Sequence, residues 1–240
     1  MNNPTGTELF LKSFKEKRSN TGGLTQDPNA AEGIAQRVNK VVEALKDVPG
    51  FVAAGSFGSR WLGFGIDESD YDVEVLFDSS APGFNEETLK NAASKVGSIY
   101  LNEAKPGEIE MAMWVDLADV KRVEDCLDPR FLVCAQYLAH ENLVGSRVQE
   151  YRDIVVEKVR RLSDAQWEEF VEKVTDRIGL IESMNKWGWQ DRYEKRFGRS
   201  AKSNVIPNVN VAAQLRAALW TGPVREIFRS KRSSEEVANT

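Results

Sequence analysis

A chain of 240 residues with 37 acidic and 32 basic side chains fits one large domain or two small ones and carries a net charge of −5. That balance excludes broad, nonspecific affinity for nucleic acid, though not a local basic patch. No apolar run approaches about 20 residues, so no segment is expected to cross a membrane. The opening Met1-Asn2-Asn3-Pro4-Thr5-Gly6 has no signal-peptide character. Cys126 and Cys134 stand in a stretch that reads as helix. At ~1.5 Å of rise per residue they would lie about 12 Å apart on one face, too far for a disulfide. Both are expected to be reduced and buried, as in a cytoplasmic protein.

In chain order, residues 1–18 read as a short helix with Leu9, Phe10, Leu11 and Phe14 as its stripe, and residues 19–28 as a linker. A helix is predicted from about Asn29 to Lys46, with Ile34, Val38, Val41, Val42 and Leu45 on one face. Asp47-Val48-Pro49-Gly50 turns into a strand, Phe51-Val52-Ala53-Ala54, that breaks at Gly55-Ser56. A strand ending in Gly-Ser offers backbone N–H groups and a hydroxyl to an anion. Thirteen residues separate Ser56 from Asp70, and the next strand carries Ser69-Asp70-Tyr71-Asp72-Val73-Glu74-Val75-Leu76-Phe77. Carboxylates at i and i+2 of a strand share a face, and two like charges held that close repel unless a cation sits between them. Glu74 falls on the same face, deeper along the strand, placed to hold a basic residue or a second metal ion.

Beyond the loop from Asp78 to Gly83, a helix is predicted from Glu86 to Val96 and a short strand over Ser98-Ile99-Tyr100-Leu101. Lys105-Pro106-Gly107 turns into a strand over Glu108 to Val115. Period two sets Ile109, Met111, Met113 and Val115 on one face and Glu108, Glu110, Ala112 and Trp114 on the other. Asp116 reads as the N-cap of the following helix. From Val120 to Leu143 the pattern is helical with a break at Asp128-Pro129, and a long amphipathic helix follows from about Gln149 to Trp187, broken near Ser163, which can cap. His140, the one histidine, reads as a helix residue satisfied by a nearby acid. Residues 186–232 hold eleven basic against three acidic side chains, with Trp187, Trp189, Tyr193, Phe197, Trp220 and Phe228 among them. Such a stretch binds phosphate and stacks on a base, or packs its aromatics as core beneath a solvated charged face. Residues 233–240 read as a frayed tail.

The run from Gly55-Ser56 to Asp70-x-Asp72 resembles the DNA-polymerase-β-like nucleotidyltransferase superfamily, whose pattern is a Gly-Ser turn, a short loop, Asp-x-Asp on a strand and a third acid on a later strand. The loop is longer than the family's, with Ser59-Arg60-Trp61 where a glycine is usual and Gly63 and Gly65 further on. Helix and strand order over residues 30–150 is also similar. The resemblance implies an α/β (α+β) fold: a small mixed sheet with flanking helices over residues 29–125 as catalytic domain, and an all-helical C-terminal domain over 126–232. It implies two Mg²⁺ ions on Asp70 and Asp72, with Gly55, Ser56 and Ser69 against the nucleotide, ATP being the expected NTP. Glu110 is the candidate third acid, as metal ligand and base; Asp116 is its rival, with the stronger capping role, and Glu108 stands third. The implied activity is transfer of a nucleoside monophosphate to a hydroxyl of a small molecule or a protein. The alternative is a nucleotide-binding or regulatory protein, such as a toxin–antitoxin partner, that keeps the fold without activity. The sequence sets no oligomeric state.

Overall fold

The computed structural model describes residues 30–61, 69–99, 103–138, 140 and 142–176. The N-terminal arm expected over residues 1–28, the centre of the loop before Asp70, and the basic aromatic stretch at 186–232 with its tail lie outside the described residues.

Among the described residues the chain forms a mixed α+β structure of three strands and seven helices. Helix α1 (Ala30–Leu45) presents Ile34, Val38, Val41 and Leu45 at helical spacing, all fully buried. Strand β1 (Phe51–Ser56) is buried along its whole length and pairs antiparallel with β2 (Tyr71–Phe77). A four-residue helix α2 (Gly58–Trp61) starts the loop between them. Helix α3 (Glu86–Ser94), capped by the Asn85 side chain on the Thr88 N–H at 2.9 Å, leads from β2 to β3 (Ile109–Asp116), which runs parallel to β2. Helices α4 (Ala118–Arg122), α5 (Pro129–Leu138), α6 (Val148–Val159) and α7 (Asp164–Asp176) complete the described chain. The break read at Ser163 is a reciprocal cap: Ser163 N–H and hydroxyl donate to Gln166 Oε1, and the Gln166 N–H donates to Ser163 Oγ at 3.4 Å.

Alternation along β2 divides the interior in two. Val73 and Val75 join α1, α3, Ile109 and Met111 in one cluster. Leu76 joins Val52, Ala53, Val115 and α4 to α7 in the other. The second cluster runs across position 126, where the domain boundary was expected, because Cys126, Phe131 and Leu132 pack with strand residues. Beyond β1 an isolated antiparallel bridge joins Ala54 to Val144; beyond β3 a parallel bridge joins Ser98 to Glu110, at the start of the strand predicted over residues 98–101, of which Tyr100 and Leu101 lie outside the described residues.

Two expectations are corrected by local geometry. Strict period two puts Met111 and Val115 on one face, yet they belong to different clusters. The β2–β3 register steps from Val73↔Met111 to Glu74↔Met113, so Ala112 is an extra residue, a bulge that inverts the phase of the rest of β3. Cys126 precedes α5 instead of sharing a helix with Cys134. Both cysteines are free and buried, and burial pushes the Cys134 thiol up to about 12, leaving it unreactive at neutral pH. No helix among the described residues is long and apolar enough to cross a membrane.

A buried carboxylate ties the helical part to the sheet. Asp78, just past β2 and 1 % exposed, accepts from the Ser80 N–H at 2.8 Å, from Lys121 Nζ at 2.9 Å and from the Tyr151 hydroxyl. Burial alone would raise its pKa, but these hydrogen bonds to the ionised form outweigh it and hold the carboxyl well below the usual range. A carboxyl depressed in the folded state contributes its full stability above its unfolded pKa, about 3.9, and that contribution fades as pH falls from there toward the folded value. Asp78→Asn is therefore expected to cost about 3 kcal/mol at neutral pH. In thermal melts followed by circular dichroism, its Tm deficit against wild type should narrow as pH falls below about 4. A deficit equal at every pH would refute this account.

Candidate metal centre

Asp70 stands immediately before β2 and Asp72 two residues on, so pleating puts both carboxylates on one face of the strand. The parallel register sets Asp72 opposite Glu110 at the start of β3. The three side chains therefore converge at the N-terminal ends of two adjacent strands, with ligand oxygens all within 4.8 Å of one another. Glu110 is 4 % exposed; the two aspartates are half-buried. Two ionised carboxylates at 4.8 Å repel by about 3.5 kcal/mol at an effective dielectric constant of about 20. A divalent cation reverses the sign of that term. Three carboxylates are a hard oxygen donor set, suited to Mg²⁺, Mn²⁺ or Ca²⁺ in preference to zinc. Oxygens sharing one Mg²⁺ lie at most about 4.2 Å apart, so a small closure of this cluster suffices.

The turn beside the triad lies later than the sequence reading placed it. β1 does not break at Gly55-Ser56: Gly55 pairs with Glu74 and Ser56 with Val73 in the ladder. Ser56 is 2 % exposed, and its hydroxyl donates to the Asp72 carbonyl at 3.1 Å. Gly55 makes room for an acid, since a Cβ there would stand 2.7 Å from Glu74 Oε1. The chain turns at Gly58, whose φ is +73° and where an added Cβ would fall 1.8 Å from Asp72 Oδ2. Gly58 is the residue that sequence reasoning missed. The repeated dipeptide Gly55-Ser56, Gly58-Ser59 was the available signal, and β-formers pairing through Ser56 decide between the two. Ser69 is buried, with its carbonyl accepting from the Gly107 N–H at 3.0 Å.

The other acids go elsewhere. Asp116 ends β3, six residues and about 20 Å of strand beyond Glu110. Its carboxylate accepts from the Ser79 N–H at 3.0 Å, the Ser79 hydroxyl at 2.5 Å and the Ala118 N–H at 3.0 Å. The N-cap position of α4 is Leu117, so Asp116 supports that helix from one residue further out than expected. Glu108 is exposed and accepts from the Lys105 N–H at 3.1 Å. Glu74 is fully buried, with both oxygens within 2.9 Å of His140 Nδ1, so it holds the basic residue its position suggested. His140 follows α5 instead of lying within it, and Arg152 holds the segment by donating to the carbonyls of Leu138 at 2.8 Å and His140 at 2.7 Å. Asn142 donates to the Ser56 carbonyl, and its Oδ1 has no hydrogen-bond partner among the described residues.

Comparison with protein-family models, with curated proteins and with solved structures gives no match.

If Gly58 clears the space for the Asp72 carboxylate, Gly58→Ala has two effects. An alanine at positive φ costs about 1–2 kcal/mol, and the new Cβ displaces the Asp72 carboxylate. The expected outcome is a loss of divalent affinity of more than about tenfold, read by Mn²⁺ titration followed by electron paramagnetic resonance. Asp116→Ala should instead lower stability by about 1–2 kcal/mol and leave Mn²⁺ affinity unchanged. Loss of Mn²⁺ binding in the Asp116 variant, with none in the Gly58 variant, would move the metal site to the other end of β3.

Proposed function

We propose that this chain is a magnesium-dependent nucleotidyltransferase that moves a nucleoside monophosphate, AMP from ATP in the first instance, to a hydroxyl of a small molecule or a protein. The observation that carries the reading is the convergence of Asp70, Asp72 and Glu110 on two parallel strands beside a glycine turn. The resemblance in the sequence around Asp70-x-Asp72 supports it. Asp70 and Asp72, joined by Glu110, would hold two Mg²⁺ ions, which when bound supply the positive charge that offsets the charge gathering on the departing pyrophosphate.

In this reaction the acceptor oxygen bonds to the α-phosphorus, the bond from that phosphorus to the bridging oxygen of the β-phosphate breaks, and pyrophosphate leaves with that electron pair. Glu110, the most buried of the three acids, takes the acceptor's proton. The phosphates are proposed to lie against the turn at Gly58, where the backbone carries no side chain, because Gly55 and Ser56 are occupied within the ladder. The basic aromatic stretch at 186–232 is proposed to attract the NTP. An acidic chain that concentrates positive charge there attracts an NTP without binding nucleic acid generally.

The test is incubation of the protein and a cell lysate with Mg²⁺ and ATP labelled at the α-phosphate, with mass spectrometry of whatever gains the label. Transfer of the α-label with release of pyrophosphate is expected; ATP turnover that leaves the α-label on ADP or AMP, with none on an acceptor, would mean a different reaction. Asp70→Ala and Asp72→Ala should each lower the rate at least about a hundredfold, the loss of several kcal/mol of charge stabilisation. Their metal-free Tm should be unchanged or higher, since a like-charge repulsion is removed. Glu110→Gln should cost far more in turnover than in ATP affinity, read by kinetics beside calorimetric titration of ATP with and without Mg²⁺. Full activity in both aspartate variants would sink the metal assignment.

A further inference from the structure

The strands carrying the triad begin in loops, and ladder pairing alone does not fix a residue that precedes its strand. Asp70 is such a residue, and Glu110 lies three positions after Gly107 in the turn that opens β3. Each of these two loops is held by one arginine. Arg60, on α2, donates through Nε to the carbonyls of Ser69 at 3.1 Å and Asp70 at 2.9 Å, and through Nη2 again to Ser69. Arg37, on α1, donates through Nε and Nη2 to the carbonyl of Gly107 at 3.2 and 3.1 Å, and through Nη1 to Gly33 at 3.1 Å.

Both guanidiniums also meet the same ring. Arg37 Cζ lies 3.7 Å and Arg60 Cζ 4.3 Å from the centroid of Tyr71, the residue between the two aspartates. Each guanidinium is attracted by the π-electrons of the ring. The loops are also tied to each other, by Tyr71 N–H to the Glu108 carbonyl at 2.8 Å and by Gly107 N–H to the Ser69 carbonyl at 3.0 Å.

We propose that the Arg37–Tyr71–Arg60 stack is the positioning device of the metal centre: it fixes the spacing of Asp70 and Glu110 and so sets the affinity for the divalent cation. This rests on the reading of Asp70, Asp72 and Glu110 as metal ligands. In this role the three stack residues act through the backbone that presents the carboxylates. Arginine is required at both positions, because a planar fork that bonds carbonyls while lying on a ring has no equivalent in lysine, which keeps only the charge.

The experiment is Mn²⁺ titration of the full chain, followed by electron paramagnetic resonance, for wild type, Asp72→Asn, Arg37→Lys, Arg60→Lys, Tyr71→Leu and Tyr71→Phe. Metal-free melting is measured for each. Wild type binds and Asp72→Asn does not, if the metal reading holds. Arg60→Lys and Arg37→Lys are then expected to weaken Mn²⁺ by about ten- to a hundredfold although the charge is kept, as outer partners of metal ligands do. Tyr71→Leu should lose as much, and Tyr71→Phe should restore it, since the ring and not the hydroxyl makes the stack. If Tyr71→Leu fails to fold, the two lysine variants decide. Wild-type Mn²⁺ affinity in the folded lysine variants, whatever their Tm, overturns the positioning role and leaves the metal reading standing. Absence of Asp72-dependent binding in wild type overturns the metal reading and this inference with it.

Discussion

Parallel pairing of β2 with β3 in the register Asp72↔Glu110 governs everything else at the acidic cluster. Residues 38 positions apart in the chain become neighbours on one face of the sheet only in that register. A slip of one residue would turn Glu110 to the opposite face, into the cluster that holds Ile109 and Met111. The register is in turn enforced by burial, since Val73 and Val75 must meet α1 while Leu76 meets the helices on the other side. The apolar pattern that folds the sheet thus also sets the distance between the acids.

Much of this was legible in the sequence, and its gaps have physical causes. Helical spacing gave α1 and α3 nearly to the residue, and the i, i+2 spacing of Asp70 and Asp72 gave their shared face. The phase of β3 beyond Ala112 was not legible, because a bulge arises from pairing with another strand and leaves no mark in local alternation. The turn was misplaced from Gly58 to Gly55-Ser56 because both are Gly-Ser dipeptides; the distinction is a positive φ, which only the folded backbone reveals. Asp116 and Glu110 both flank the same apolar run, so the sequence alone left the third acid open. What separates them is which end of the strand faces Asp72. Neither arginine of the stack was singled out, since each bonds to backbone carbonyls, which carry no sequence signature.

The sheet carries two concentrations of carboxylate, one at each end of β2, and they are built oppositely. At the C-terminal end Asp78 is surrounded by donors, Ser80, Lys121 and Tyr151, which repay the cost of burying its charge and fasten the helices to the sheet. At the N-terminal end three acids lie within 4.8 Å of one another, and Arg37 and Arg60 donate to main-chain carbonyls of the adjoining loops. Self-satisfaction at one end serves stability, and the cluster of acids at the other is a candidate cation site. Glu74 stands between these regimes, close along the strand to Asp72 but sealed by His140.

The two isolated bridges at the margins of the sheet bear on whether a further strand can join it. At Ala54 and at the start of β3 the outward main-chain groups are already paired, with Val144 and with Ser98. A peptide seeking to extend a sheet needs those groups vacant. At these positions strand addition is closed, to a second copy of the chain as much as to any other extended segment.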